Sequence, residues 1–333
     1  MDIRDLGALR QTVGERLSRA SYDPRKLVLL HTAVSLGVTL LVVLLDLFLS
    51  QRIEGTGGLA GMQTRTILET VRSALQYGGS IALPFWEIGM VYAAICLARG
   101  QEVGPDGLLM GFRRVGPVLR LMLMQGALYF AVAMVGINVS SVLFMLTPFA
   151  RPLIDVMTPM LEDASILSSQ ATVDEATAAA MLEHMGPLFI IFGVLFLVAV
   201  VPLMLRFRFA EYLVMDGDSG AIHAMLSSWK LTKGHVFALL KLDLSFWWFY
   251  GLKILCAAVG YGYLLLPAMG VELPVSEEAA YCLFFLLQIL LQLALYWWAG
   301  SRVYTTYALA YDTLLQPVQA PQPPVSEKVP WDY

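Results

Sequence analysis

Residues 219–267 read SGAIHAMLSSWKLTKGHVFALLKLDLSFWWFYGLKILCAAVGYGYLLLP, and two kinds of pattern meet in them. In the first part Ile222, Met225, Leu226 and Trp229 recur at helical spacing, which predicts a surface helix with one apolar face. From Val236 to Leu266 the chain is apolar almost without interruption. As a straight helix that run would measure about 46 Å, against a bilayer core of roughly 30 Å. It is therefore expected to tilt, to protrude, or to kink near Gly251, Gly260 or Gly262. Lys241, Asp243 and Lys253 lie inside it, where an unpaired charge costs about 3 kcal/mol.

The rest of the chain extends this reading. Hydrophobic residues fill 58% of the positions and charged ones only 14%. That charge content is about half the usual share, which speaks against an ordinary soluble domain. Apolar runs place six spans near residues 27–49, 78–98, 117–147, 187–205, 236–266 and 279–300. The expected fold is all-α: a polytopic membrane helical bundle over residues 27–315, with amphipathic interfacial helices.

Residues 1–26 carry Ile3, Leu6, Leu9, Val13 and Leu17 as one stripe flanked by Arg4, Arg10, Arg16 and Arg19. They predict a cytoplasmic amphipathic helix, lying either on an anionic membrane face or on the bundle itself. Residues 316–333 are proline-rich and expected to be disordered. The first apolar run starts too late and runs too long for a cleaved signal peptide. Thr66-x-x-Glu69 and Thr172-x-x-Glu175 have the capping-box form and are expected to start helices. Pro84, inside the second span, is expected to kink it. Cys96, Cys256 and Cys282 lie within or beside apolar runs without a C-x-x-C pair, so they read as packing residues.

Lysines and arginines set the orientation. Six precede the first span, four (Arg99, Arg113, Arg114, Arg120) lie around the second loop, and four (Arg206, Arg208, Lys230, Lys233) lie around the fourth. The alternate loops hold three, one and none. By the positive-inside rule both termini are then cytoplasmic.

Ionisable residues within spans are functional candidates by default. Counting along the helices puts Glu87 and Lys253 near the middle of spans two and five. Each sits on a face of small residues that would let the helices approach closely. The two are therefore expected to meet, as a structural ion pair or as part of an ion or proton path. Lys241 and Asp243 point to opposite sides of their helix, at the depth of His31 and Arg206. Lys241 is expected to snorkel, and Asp243 to find a partner, with His31 and Arg206 as candidates.

Other motifs are weaker. Gly217-Asp218-Ser219-Gly220 matches the serine motif of rhomboid-type intramembrane proteases, which need a histidine base held against the serine. His223 is near in sequence, but the last span has no histidine. Asp218 or Ser219 capping the next helix is the simpler reading. No metal, nucleotide or haem motif is present. Asn138-Val-Ser140 has the form of a glycosylation sequon but falls inside an apolar helix, so it reads as a chance match.

Ser228, Lys233-Gly234, the alternating Leu240, Leu242 and Leu244, then Ser245-Phe246 and Trp248 form the most specific stretch. It resembles the bacterial integral-membrane family known as domain of unknown function 975. Gly111-Phe112 before the third span fits as well. The resemblance implies a six-span layout and a bacterial membrane, and implies no activity.

The expected role is a non-enzymatic envelope or accessory component acting through helix packing and its cytoplasmic helices. The alternative is a transporter or permease-like subunit with span-five polar groups lining a path. An intramembrane hydrolase is a remote third. No cofactor and no nucleic acid is expected. The partners are the lipid bilayer and, beyond it, a membrane-protein partner or a second copy.

Overall fold

The structure is a computed structural model that describes residues 5–54, 61–152, 154–155, 158, 175–217, 220–268, 270–271 and 276–315. The proline-rich tail, Asp218, Ser219 and Thr172 lie outside the described residues. The described residues are mostly helical, with no strand among them. In chain order the helices are α1 (Leu6–Ser18), α2 (Pro24–Glu54), α3 (Gly61–Arg99), α4 (Met110–Arg113) and α5 (Val115–Met145). Then come α6 (Glu175–Phe207), α7 (Ala210–Asp216), α8 (Ala221–Leu231), α9 (Val236–Ser245) and α10 (Trp247–Gly260). The last are α11 (Gly262–Ala268), α12 (Glu277–Leu295) and α13 (Ser301–Leu315), the final two joined by a π-helical turn over Tyr296–Gly300.

Among these residues five helical stretches are long and apolar enough to cross a membrane. Counting α9 and α10, bent by 56°, as one broken span makes six. That bend falls at Phe246, not at Gly251 as the glycine count suggested; a second interruption, at Tyr261, does lie between Gly260 and Gly262. Helix α3 begins at Gly61, so Thr66 lies inside it and is not its N-cap. Glu69 instead accepts from Arg65 Nε at 2.9 Å, one turn away on the same face. Pro84 is contained within α3, and Asn138 and Ser140 both back-bond to carbonyls of α5, as mid-helix residues do.

The chain forms two compact units. The smaller, Arg120–Phe207, is most of α5 with α6. Phe144 and Ala150 are its buried centre, packed by Met185, Leu188 and Ile191.

The larger unit, Met1–Leu119 with Arg208–Tyr333, holds everything else. Its core is built on α2 and α3, where Leu27, Val28, Met90, Ala93 and Leu97 are buried together with Val103 and Leu108 from the loop after α3. At the far end of the α2–α3 hairpin Asp46 accepts from Arg72 Nη2 at 3.0 Å and from Gln76 Nε2 at 2.8 Å. Gly100, at φ +71°, stops α3 in the left-handed conformation that glycine adopts without a Cβ clash. The Gln101 N–H then bonds back to the Cys96 carbonyl at 2.9 Å. The following 3₁₀ turn (Pro105–Leu109) and α4 fold back against α3. The approach is backbone to backbone: a Cβ at Gly89 would overlap the Leu108 carbonyl, and one at Gly111 the Phe85 carbonyl.

Helix α1 docks on the bundle, the second of its two expected placements. Leu9 and Val13 are buried, and α13 and α3 are its neighbours. Asp5 caps it, accepting from the N–H groups of Gly7 and Ala8. Arg10 Nη2 reaches the Ser245 carbonyl at 3.3 Å, a group left over where α9 breaks. The aromatic run before α13 is followed by a mostly buried helix whose Thr305, Thr306, Ala308, Ala310 and Tyr311 face protein on every side.

Helix α8 departs from expectation in an informative way. Met225 is buried, with Ala221, Ala224 and Ser228, against α7; the Ser228 hydroxyl accepts from the Phe209 N–H at 3.2 Å. Ile222, Leu226 and Trp229, predicted to share one face with Met225, are exposed. A helix with bulky apolar residues turned outward suits a membrane interface.

Candidate functional site

Three polar assemblies occupy the larger unit, and their states of pairing differ. The first is closed. Arg99, the last residue of α3, forms ion pairs with Asp216 at the end of α7 and with Asp312 in α13. Tyr311 donates to Asp216 at 2.9 Å. Arg114 Nη1 donates to the carbonyls of Val214 and Gly217, at 2.9 and 2.6 Å. A cation on free carbonyls at a helix C-terminus is favourable both as hydrogen bond and against the helix dipole.

The second is closed as well, and it contains Asp243. Arg208 forms its ion pair, and the Tyr307 hydroxyl donates to the same carboxylate at 2.7 Å. Tyr250 and Tyr307 hydroxyls are 2.8 Å apart, and the Arg208 guanidinium lies over the Tyr307 ring at 4.5 Å. Asp243 thus has the partner it was expected to need. The partner is Arg208, two residues after Arg206, and it is not His31. Arg206 lies in the last turn of α6. Lys241 is exposed and has no hydrogen bond or ion pair among the described residues, the condition that snorkelling requires. Asp243→Asn and Arg208→Gln are each expected to cost about 2 kcal/mol, the range for a charged hydrogen bond. Together they should cost less than their sum, since they share one interaction. Thermal melts of the solubilised protein would measure both.

The third assembly is open, and Glu87 is its hub. Its expected ion pair with Lys253 does not form: no contact within 4.0 Å joins them. The cause is helix packing. The small residues beside Lys253 serve α12, not α3: a Cβ at Gly260 would overlap Gln288, and one at Gly262 would press on the Phe284 ring. Lys253 stays exposed, near enough for its charge to act on Glu87 without touching it. Glu87 is 53% accessible, and its nearest ionisable contact is His31 Nε2 at 3.7 Å, too long for a hydrogen bond.

His31 is itself unusual. It is 2% exposed, stacked on Trp86 at 5.7 Å, with Tyr304 edge-on at 6.2 Å. Trp86 Nε1 donates to its backbone carbonyl at 2.9 Å. Neither ring nitrogen has a hydrogen-bond partner among the described residues. Glu211, in α7, lies within electrostatic range of Glu87. It has no hydrogen bond or ion pair there either, and the charges that act on it are those of Glu87 and Arg208. Glu211 escaped the sequence reading because it follows the apolar run of span four and looks like a loop acid.

The geometry therefore places His31 beside Glu87, with Lys253 acting on Glu87 through its charge alone, while Glu211 feels both Glu87 and Arg208, the partner of Asp243. Among the described residues no group of three or more His, Cys, Asp or Glu side chains is arranged to hold a metal ion. His223 is exposed on α8. No protein-family model, no curated protein and no solved structure matches this chain.

Proposed function

We propose that this chain is a six-span protein of a bacterial cytoplasmic membrane with both termini cytoplasmic. We infer that it is a non-enzymatic, permease-like subunit whose path passes Glu87, Glu211 and Lys253. The single observation behind this is the contrast in pairing. Asp46, Asp216, Asp243 and Asp312 each have an arginine, as charges kept only for structure do. Among the described residues the only basic group within 4.0 Å of Glu87 is His31 Nε2, and Glu211 and Lys253 have no ion pair. An ionisable group left so within a span is tolerated where it faces a water-filled recess. Two carboxylates against one ammonium favour a small solute bearing a positive charge, or a proton. The resemblance to the family of unknown function 975 agrees with the layout and adds nothing about the path.

The test is thiol accessibility in intact membranes. Cys96, Cys256 and Cys282 would first be replaced by alanine. Cysteine at position 87 or 253 should then react with a small charged methanethiosulfonate reagent. Cysteine at Ile254, 70% exposed on the neighbouring face, should not react, because lipid covers it. Unreactive thiols at both 87 and 253 would return the chain to the accessory role that its composition first suggested.

A further inference from the structure

A second recess lies where two irregularities of the helix backbone meet. One is the break at Phe246 between α9 and α10. The other is the π-helical turn at Tyr296–Gly300, a feature often found at functional sites. Between them opens a cavity of about 450 Å³, closed on one side by α1. Its walls include Arg10, Arg302, Phe246, Trp248, Trp298 and Thr306, and no aspartate or glutamate lines it.

The charge in this recess is one-sided. Arg10 is engaged by the Ser245 carbonyl and lies 5.9 Å from the Phe246 ring centroid, which fixes its guanidinium at the rim. The Arg302 guanidinium has no hydrogen bond or ion pair among the described residues. Two arginines without a carboxylate are the chemistry that takes up a phosphate group, to which a free guanidinium can donate two parallel bonds. Trp248 and Trp298 have ring centroids 5.1 Å apart, and Trp298 is exposed. Paired tryptophans beside arginine at the end of an apolar span are the side chains of the headgroup level. The volume accepts a headgroup with the start of its chains and little more.

We propose that this cavity binds the phosphate of an anionic phospholipid from the leaflet that faces α1, the cytoplasmic one under the orientation given above. The site needs only the membrane placement and is independent of the path at Glu87. Its failure would leave that path untouched, because the two share no residue.

The full chain, reconstituted in phosphatidylcholine vesicles, supplies the test. Brominated phosphatidylglycerol should quench tryptophan fluorescence at lower mole fraction than brominated phosphatidylcholine. Trp298→Phe should remove much of the quenched component. Arg302→Gln should weaken the phosphatidylglycerol preference about fivefold, the effect of one basic residue at an anionic surface. Arg302→Lys, keeping the charge and losing the fork, should fall between the two. Since Arg10 also supports the break in span five, Arg302 carries the test alone. Equal quenching by the two lipids would overturn the proposal. So would relief of quenching by inorganic phosphate or glycerol phosphate, which would mark a site for a soluble phosphate ester.

Discussion

Gly89→Ala is expected to destabilise the protein by about 3 kcal/mol, the upper end of the usual range for overpacking. The added methyl would meet the Leu108 carbonyl oxygen, a backbone atom that no rotamer change can move. Relief requires the segment after α3 to lift away, and that segment buries Val103 and Leu108 in the core. Gly78→Ala in the same helix is the control. Nothing lies within 4 Å of its added Cβ, and helix propensity favours alanine there by roughly 0.5–1 kcal/mol. Melting of the detergent-solubilised variants should separate the two widely. Equal melting temperatures would mean that the loop does not lie on α3.

Arg99→Ala should have an effect of similar size, about 3 kcal/mol, the cost of removing one partner of a largely buried ion pair. The arginine is shared by Asp216 and Asp312. Its loss leaves two carboxylates facing one another with only Tyr311 donating to the pair. The distinguishing experiment is rescue. Arg99→Ala combined with Asp216→Asn and Asp312→Asn should recover part of the loss, because the repulsion goes with the charges. If the single variant melts like the parent, the three helix ends are not tied as described.

Much of the fold could be read from the residues, because hydrocarbon imposes length and polarity on a helix directly. Runs near 27–49, 117–147 and 279–300 correspond to α2, α5 and α12 with its π turn, and the amphipathic stripe of residues 6–17 is α1. What could not be read was which helix faces which. The glycine and cysteine face of span five was visible, yet small residues fit any neighbour, and α12 took that face instead of α3. The break at Phe246 had no glycine or proline to announce it. Asp243 plainly needed a partner, but Arg206 and Arg208 differ by two residues and only the fold could choose. Arg99, Asp216 and Asp312 each looked like an ordinary charge at a helix end; their meeting depends on contacts between residues as many as 213 positions apart.

The packing of α1 on α13 has a consequence for biogenesis. The ribosome delivers α1 first among the described helices and α13 last. Until then α1 has only α3 to pack on, and Asp312 cannot reach Arg99. Threading of the spans must therefore precede assembly of this end, and translation of the final helix acts as a latch. Nascent chains stalled before α13 would present a greasy, basic flap, a form that quality-control proteases could distinguish from finished protein.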